Sequence, residues 1–265
     1  MPNRRGGVQV GDVATERTRW KRPEDVQSNP LISATTIANT PADLAGQMVA
    51  SMTAGSLALA RHGAADTATV DATLVRAHRL FRSVMLAPQL LTEAVNATDA
   101  PLFQSYPSNS YLDDLFWAST WLLRASNLGF RANNASFYYE ATRETFALAF
   151  AERDSMAVSP DYMNNVALVH AAVTTFDWSF HSAAQSWIWD WICSGDVRYT
   201  TFGRAFHADS PQLGDTAMAA AIAATYVHAA RSWDKASSNE QLMTGAPAAV
   251  AACRRVLHVL CPPSV

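Results

Sequence analysis

The sequence predicts an all-α fold, and three observations carry that prediction. Apolar residues recur at three- and four-residue steps through most of the chain beyond residue 40, the spacing that lines one face of a helix. No segment alternates apolar and polar residues over the length of a strand, and no Asn-Gly or Asp-Gly pair is present to turn a tight hairpin. Hydrophobic residues make up 49% of the 265 positions and charged residues 16%, enough to fill a sizeable core and far from the composition of a disordered chain. This length allows one large domain or two small ones, and the unbroken helical pattern gives no boundary within residues 41 to 260.

Residues 1 to 40 hold much of the early Pro, Gly and charge, including Lys21-Arg22-Pro23-Glu24-Asp25, and read as loop. A first helix runs from Asp43, placed as its N-cap, to about His62, with Leu44, Met48 and Met52 recurring at four-residue steps as its apolar stripe. The next is clearer: Val70, Leu74, Ala77, Leu80, Phe81 and Val84 form the stripe of an amphipathic helix. A short helix covers Pro88 to Val95. From Tyr111 to Leu128 the residues Leu112, Leu115, Phe116, Leu122 and Leu123 lie on one side and Trp117 and Trp121 on another, so that helix is buried between neighbours. Further helices are expected over 135 to 153, 162 to 174, 180 to 193, 213 to 232 and 246 to 260, making about nine. Two long connections, near 96 to 110 and 194 to 212, are candidates for function.

Several function classes drop out. With 20 basic and 23 acidic residues and no basic block, the chain lacks the charge to neutralise many phosphates, so nucleic acid is not an expected partner. No apolar run approaches membrane-spanning length, and Met1 to Arg17 lacks the apolar centre of a secretory signal. Cys193, Cys253 and Cys261 are too few for a disulfide framework and lack metal-ligand spacing. The helical His-Glu-x-x-His pair, the Gly-x-Ser-x-Gly elbow and the glycine-rich nucleotide loops are all absent. No metal or cofactor is expected. Asn96-Ala-Thr and Asn134-Ala-Ser are glycosylation sequons that matter only in a secreted chain.

Aromatic residues are the loudest remaining signal. Trp20, Trp117, Trp121, Trp178, Trp187, Trp189, Trp191 and Trp233 are many for this length, and Tyr106, Tyr111, Phe176 and Tyr199 sit in or beside the long loops. On helices such residues are core. In loops a flat ring either anchors the chain or stacks on the C–H face of a pyranose, and Trp20, Tyr111 and Trp178 are candidates for the second role. Glycoside hydrolysis also needs two carboxyl groups flanking the bond. Asp12 with Glu16, Glu24 with Asp25 and Asp113 with Asp114 are the acidic pairs; the last falls in a first helical turn, where capping is the simpler role.

Four segments in order resemble glycoside hydrolase family 9, the inverting endoglucanases that cut β-1,4-glucan on an (α/α)6 barrel. Residues 9 to 25, from Gln9-Val-Gly-Asp through Trp20-Lys-Arg-Pro-Glu-Asp25, resemble the family's V-G-D-G-x-x-D-H-x-x-W-x-R-P-E-D. Asp43-Leu-Ala-Gly-Gln47 resembles its S-D-V-A-A-E-T helix start. Tyr106-Pro-Ser-Asn-Ser-Tyr111-Leu-Asp113-Asp114-Leu-Phe-Trp117-Ala-Ser-Thr-Trp121 resembles Y-P-S-S-S-Y-x-D-E-L-x-W-A-A-x-W. Phe176-Asp-Trp178, with Tyr199-Thr-Thr-Phe-Gly203-Arg after it, resembles the W-D-x-K segment and the Y-T-x-x-G-R turn. The match covers residues 9 to 230.

The resemblance implies an incomplete (α/α)6 barrel that binds a β-1,4-glucan chain, with Trp20, Tyr111, Trp178 and Arg17 as substrate contacts. It places the family's catalytic base, in a D-A-G-D motif, and its acidic glutamate on sequence outside this chain, so no carboxylate here is assigned a catalytic role. Arg17 stands where the family has a substrate-contacting His, Gln47 where it has Glu, and Ser179 and His181 where it has the Asp and Lys of W-D-x-K. The expectation is an endoglucanase portion that is inactive alone, prone to self-association through an unclosed ring, and secreted by family habit. The alternative is a non-catalytic glucan-binding or purely structural helical protein.

Overall fold

The computed structural model describes residues 7–10, 33–36, 41–94, 110–130, 134–151, 163–175, 177–193, 198–199, 205–206 and 213–237. Eight helices run through them: α1 (Ala42–Arg61), α2 (Thr67–Leu86), α3 (Leu91–Ala94), α4 (Leu112–Asn127), α5 (Ala135–Ala151), α6 (Asn164–Thr175), α7 (Trp178–Cys193) and α8 (Leu213–Ser237). The expected helix over 246 to 260 lies outside the described residues. Two small antiparallel ladders join them: β1 (Gly7–Val10) pairs with β2 (Ser33–Thr36) in the register Gly7 to Thr36 through Val10 to Ser33, and β3 (Arg198–Tyr199) pairs with β4 (Ala205–Phe206). These ladders correct the reading of the first 40 residues and of 194 to 212 as loop alone. Strands of four and two residues are too short for alternation to register, and the β1–β2 partners are separated by residues 11 to 32, so no hairpin signal connects them.

The chain groups into two compact units, Met1–Leu115 and Phe116–Val265, the division falling inside α4. In the first unit α1 packs against α2. The α2 stripe is buried as its spacing predicts through Val70, Leu74, Ala77, Phe81 and Val84, with Leu80 half-buried. Asp66 caps that helix by accepting from the Thr69 amide at 2.7 Å. On α1 the expected stripe is corrected: Met48 is 44% exposed and Leu44 and Met52 are only half-buried, while Ala42, Ala45, Gly46, Val49, Ala50, Thr53 and Ser56 face inward. Small side chains bring this helix close to its neighbours. A Cβ at Gly46 would lie 2.6 Å from the Asp114 carbonyl oxygen, so only glycine fits there.

Both α1 and α4 end in the same motif. Gly63 and Gly129 take φ of +62° and +92°, conformations that favour glycine. The following amides close back five residues, Ala64 to Leu59 and Phe130 to Ala125, each at 3.0 Å. The core of the second unit is aromatic and aliphatic: Phe116, Leu168, Phe180, Trp187, Ile188, Ile222 and Tyr226 are buried together, with Phe146 packed 4.9 Å from Phe180 and 5.5 Å from Phe116. The two-sided burial predicted for α4 is observed, since Leu115, Phe116, Leu122 and Leu123 are buried and Trp117 and Trp121 are half-buried on its other side.

Candidate functional site

Of the four expected substrate contacts, Trp20 and Arg17 lie outside the described residues, as do the acidic pairs Asp12–Glu16 and Glu24–Asp25. Tyr111 is half-buried in the first unit, where its carbonyl oxygen accepts from the Leu115 amide at 3.0 Å and opens α4. Trp178 belongs to the second unit and is 51% exposed. It is the first residue of α7 rather than a loop residue, since the helix begins two positions earlier than its apolar pattern suggests.

The start of α7 is organised around Asp177. Its Oδ1 accepts from the Ser179 amide at 2.9 Å and from the Ser179 hydroxyl at 2.7 Å, which caps the helix. Its Oδ2 accepts from the Tyr139 hydroxyl of α5 at 2.7 Å, and its own amide donates to Thr175 Oγ1 at 3.1 Å. Partial burial alone would raise the Asp177 carboxyl. The donors Ser179 and Tyr139 and the charge of Arg143 outweigh that and hold it below the ordinary carboxylate range. The same hydrogen bond pushes the Tyr139 phenol up, and the Arg143 guanidinium sits 6.0 Å from the Tyr139 ring centre. Trp178 thus projects from a helix end fixed to two neighbouring segments.

A second cluster joins α4 to α6. His170 lies with its ring centre 4.3 Å from Trp121 and 5.3 Å from Trp117, and the two indoles meet edge to face at 5.5 Å. Its hydrogen bonds fix its proton. Arg124 Nη1 is 3.3 Å from Nε2 and can only donate. Thr120 Oγ1 gives its proton to the Trp117 carbonyl oxygen at 2.8 Å, so it must accept from His170 Nδ1 at 3.2 Å. The ring is therefore neutral with its proton on Nδ1. Burial, reinforced by the Arg124 charge, pushes its pKa down to about 3. The indole Nε1 of Trp121 is buried with no hydrogen-bond partner among the described residues.

His181 is buried between α7 and α8, its Nδ1 3.3 Å from the Tyr226 hydroxyl, which also accepts from Gln185 Nε2 at 3.2 Å. Burial lowers its pKa to about 4, against an opposing pull from Asp177. Sequence reasoning singled out neither this pair nor the Tyr139–Asp177 contact, because both depend on partners 38 or more positions away.

Three described carboxylates of the first unit, Asp43, Asp113 and Asp114, are buried. Asp113 and Asp114 are buried in the first turn of α4, and Asp114 accepts a short hydrogen bond from the Gln47 side-chain amide of α1. A glutamate at position 47 would bring a second carboxylate there; the amide supplies a donor. Asp43 is not the N-cap of α1, a position taken by Pro41. Its carboxyl, raised by burial, accepts from Leu44 at 2.8 Å and from Leu91 at 3.1 Å, tying α1 to α3. Among the described residues no group of three or more His, Cys, Asp or Glu could hold a metal ion, and no helix is long and apolar enough to cross a membrane.

Comparison with known proteins places these observations. The model of glycosyl hydrolase family 9 matches residues 2–252. Endoglucanase 14 of Arabidopsis thaliana is 37% identical over 120 residues, 45% of this chain and 23% of that protein. Endoglucanase 19 of Oryza sativa subsp. japonica is 31% identical over 136 residues, 51% of this chain and 24% of its own length. Among solved structures, the endoglucanase of the termite Nasutitermes takasagoensis superposes with a TM-score of 0.67 at 23% identity, covering 94% of this chain and 51% of that one. Endoglucanase CelQ of Clostridium thermocellum, complexed with cellotriose, gives 0.65 at 20% identity, covering 96% of this chain and 38% of that one. The matched stretch spans about a quarter of the curated relatives and half of the termite chain. The structural likenesses show the fold, helical hairpins of the (α/α)6 kind.

Proposed function

The chain belongs to glycosyl hydrolase family 9, and from that premise we propose that it is the glucan-binding portion of an endo-β-1,4-glucanase, with Trp178 as its sugar platform. The observation that carries this reading is the exposure of the Trp178 indole, half in solvent at the start of a capped helix, inside the segment that resembles the family's W-D-x-K. A large apolar ring held there offers a flat face to the C–H face of a pyranose and gains the most when a ligand covers it. Tyr111, Trp20 and Arg17 are proposed as further glucan contacts.

Three described carboxylates of the first unit fit binding without catalysis. Inversion requires one carboxyl to protonate the glycosidic oxygen and another to activate water from the opposite side. Asp43, Asp113 and Asp114 are buried, and the bonds from Leu91 to Asp43 and from Gln47 to Asp114 make two of them helix ties. The family resemblance gives those two proton-transfer roles to an aspartate and a glutamate other than these three. The test is a reducing-end assay on carboxymethylcellulose. The 265-residue chain is expected to release none, and release that survives purification would overturn the division of labour.

A further inference from the structure

We propose that Tyr139 and Asp177 are positioning residues that hold the Trp178 ring in one pose for sugar stacking, a role that rests on the reading of Trp178 as a platform. Trp178 opens α7, and exposure frees much of its side chain from packing. A stacking platform must nevertheless be still before its ligand arrives, because ordering a loose side chain on binding weakens affinity. The order here comes from the backbone. Asp177 directly precedes Trp178 and spends one carboxylate oxygen on Ser179, directly after it. The other oxygen receives the Tyr139 hydroxyl at 2.7 Å from a different helix. Trp178 therefore stands between two residues joined by the same carboxylate, and that carboxylate is pinned from α5.

The two halves of the clamp differ in kind. The Ser179 bonds are the ordinary cap of α7 and would serve any residue at position 178. The Tyr139 bond adds nothing to the cap, since the helix amide is already satisfied. What it fixes is the angle at which the first turn of α7 leaves α5, and so the direction of the indole. Arg143 completes the arrangement, lying over the Tyr139 ring and helping to keep Asp177 ionised.

The experiment uses the full chain labelled with 5-fluorotryptophan, the Trp178 resonance being identified by its loss in Trp178→Phe. Tyr139→Phe removes one hydroxyl and leaves ring, cap and packing in place. It is expected to shift and broaden the Trp178 resonance in the free protein, to leave the other tryptophan resonances unmoved, and to weaken cellohexaose binding about three- to tenfold, the worth of one hydrogen bond. Asp177→Asn, which keeps an oxygen for the Ser179 cap, should fall between Tyr139→Phe and wild type. An unmoved Trp178 resonance in Tyr139→Phe overturns the proposal, as does a moved resonance with unchanged affinity. If the wild-type chain binds no cellohexaose, the glucan reading fails by itself, and the free-protein spectrum still decides whether Tyr139 holds the ring.

Discussion

Two tryptophan environments in the second unit look alike in sequence and differ in use. Trp117 and Trp121 on α4 close around His170 of α6 in a lattice of ring contacts between 4.3 and 5.5 Å, and Arg124 lies 5.9 Å from the Trp121 ring centre. Trp178 on α7 makes no such lattice among the described residues; half of its surface faces solvent, and polar residues steady the backbone beneath it. The first arrangement spends aromatic area on holding helices together. The second keeps it available. These aromatic residues are therefore sorted by what holds them: ring contacts hold Trp117 and Trp121, and hydrogen bonds to the neighbouring backbone steady the exposed Trp178.

The sharpest way to break this comparison is within α7 itself. Phe180 is fully buried against Phe116 and Phe146, two positions from exposed Trp178. Phe180→Ala should cost about 3 to 5 kcal/mol in chemical denaturation, the usual loss for a deleted core ring. A cost near that of a surface change would show that the second unit is not packed as described.

Acid should act next. His170 and His181 are held down to about 3 and 4 from an ordinary 6.5. The unfolded chain then binds more protons than the folded one, so stability is complete above pH 6.5 and is lost as pH falls toward 4 and below. Shifts of this size amount to a loss of about 3 kcal/mol for each histidine between neutral pH and pH 4, to be read from urea melts. His170→Gln should flatten that slope, and an unchanged slope would place the acid sensitivity elsewhere.

Smaller effects sharpen the contrast. Trp121→Phe removes an indole N–H that has no partner among the described residues. The relief of that unmet donor offsets lost area, so the net cost should stay within about 1 kcal/mol by thermal melting. Trp178→Ala is expected to change stability by no more than about 0.5 kcal/mol, as for a surface site; a larger drop would make Trp178 a core anchor.

The helical class was legible because the stripes are strict: five of the six positions selected on α2 and four of the five on α4 are buried, although α4 also buries Ala118, Ser119 and Thr120, which the spacing did not select. On α1 the same reasoning chose Leu44, Met48 and Met52 and missed the inward face, because close approach at Gly46 rewards small residues over large ones. β1 and β2 escaped because pairing across a long separation leaves no local pattern, and β3 and β4 because two residues each are too few to show one. Trp178 was recognisable from its motif, whereas Tyr139, His170 and Tyr226 were not. Their roles are set by partners on other helices, and one sequence does not reveal those pairings.

The central claim, that Trp178 is kept exposed to meet a glucan chain while its buried counterparts hold the fold, is tested most directly by calorimetric titration of cellohexaose into wild type and Trp178→Ala at neutral pH. Saturable heat from wild type, reduced at least tenfold in affinity in a variant that melts like wild type, is the predicted result. Equal affinities in the two proteins, or no heat from either, would contradict it.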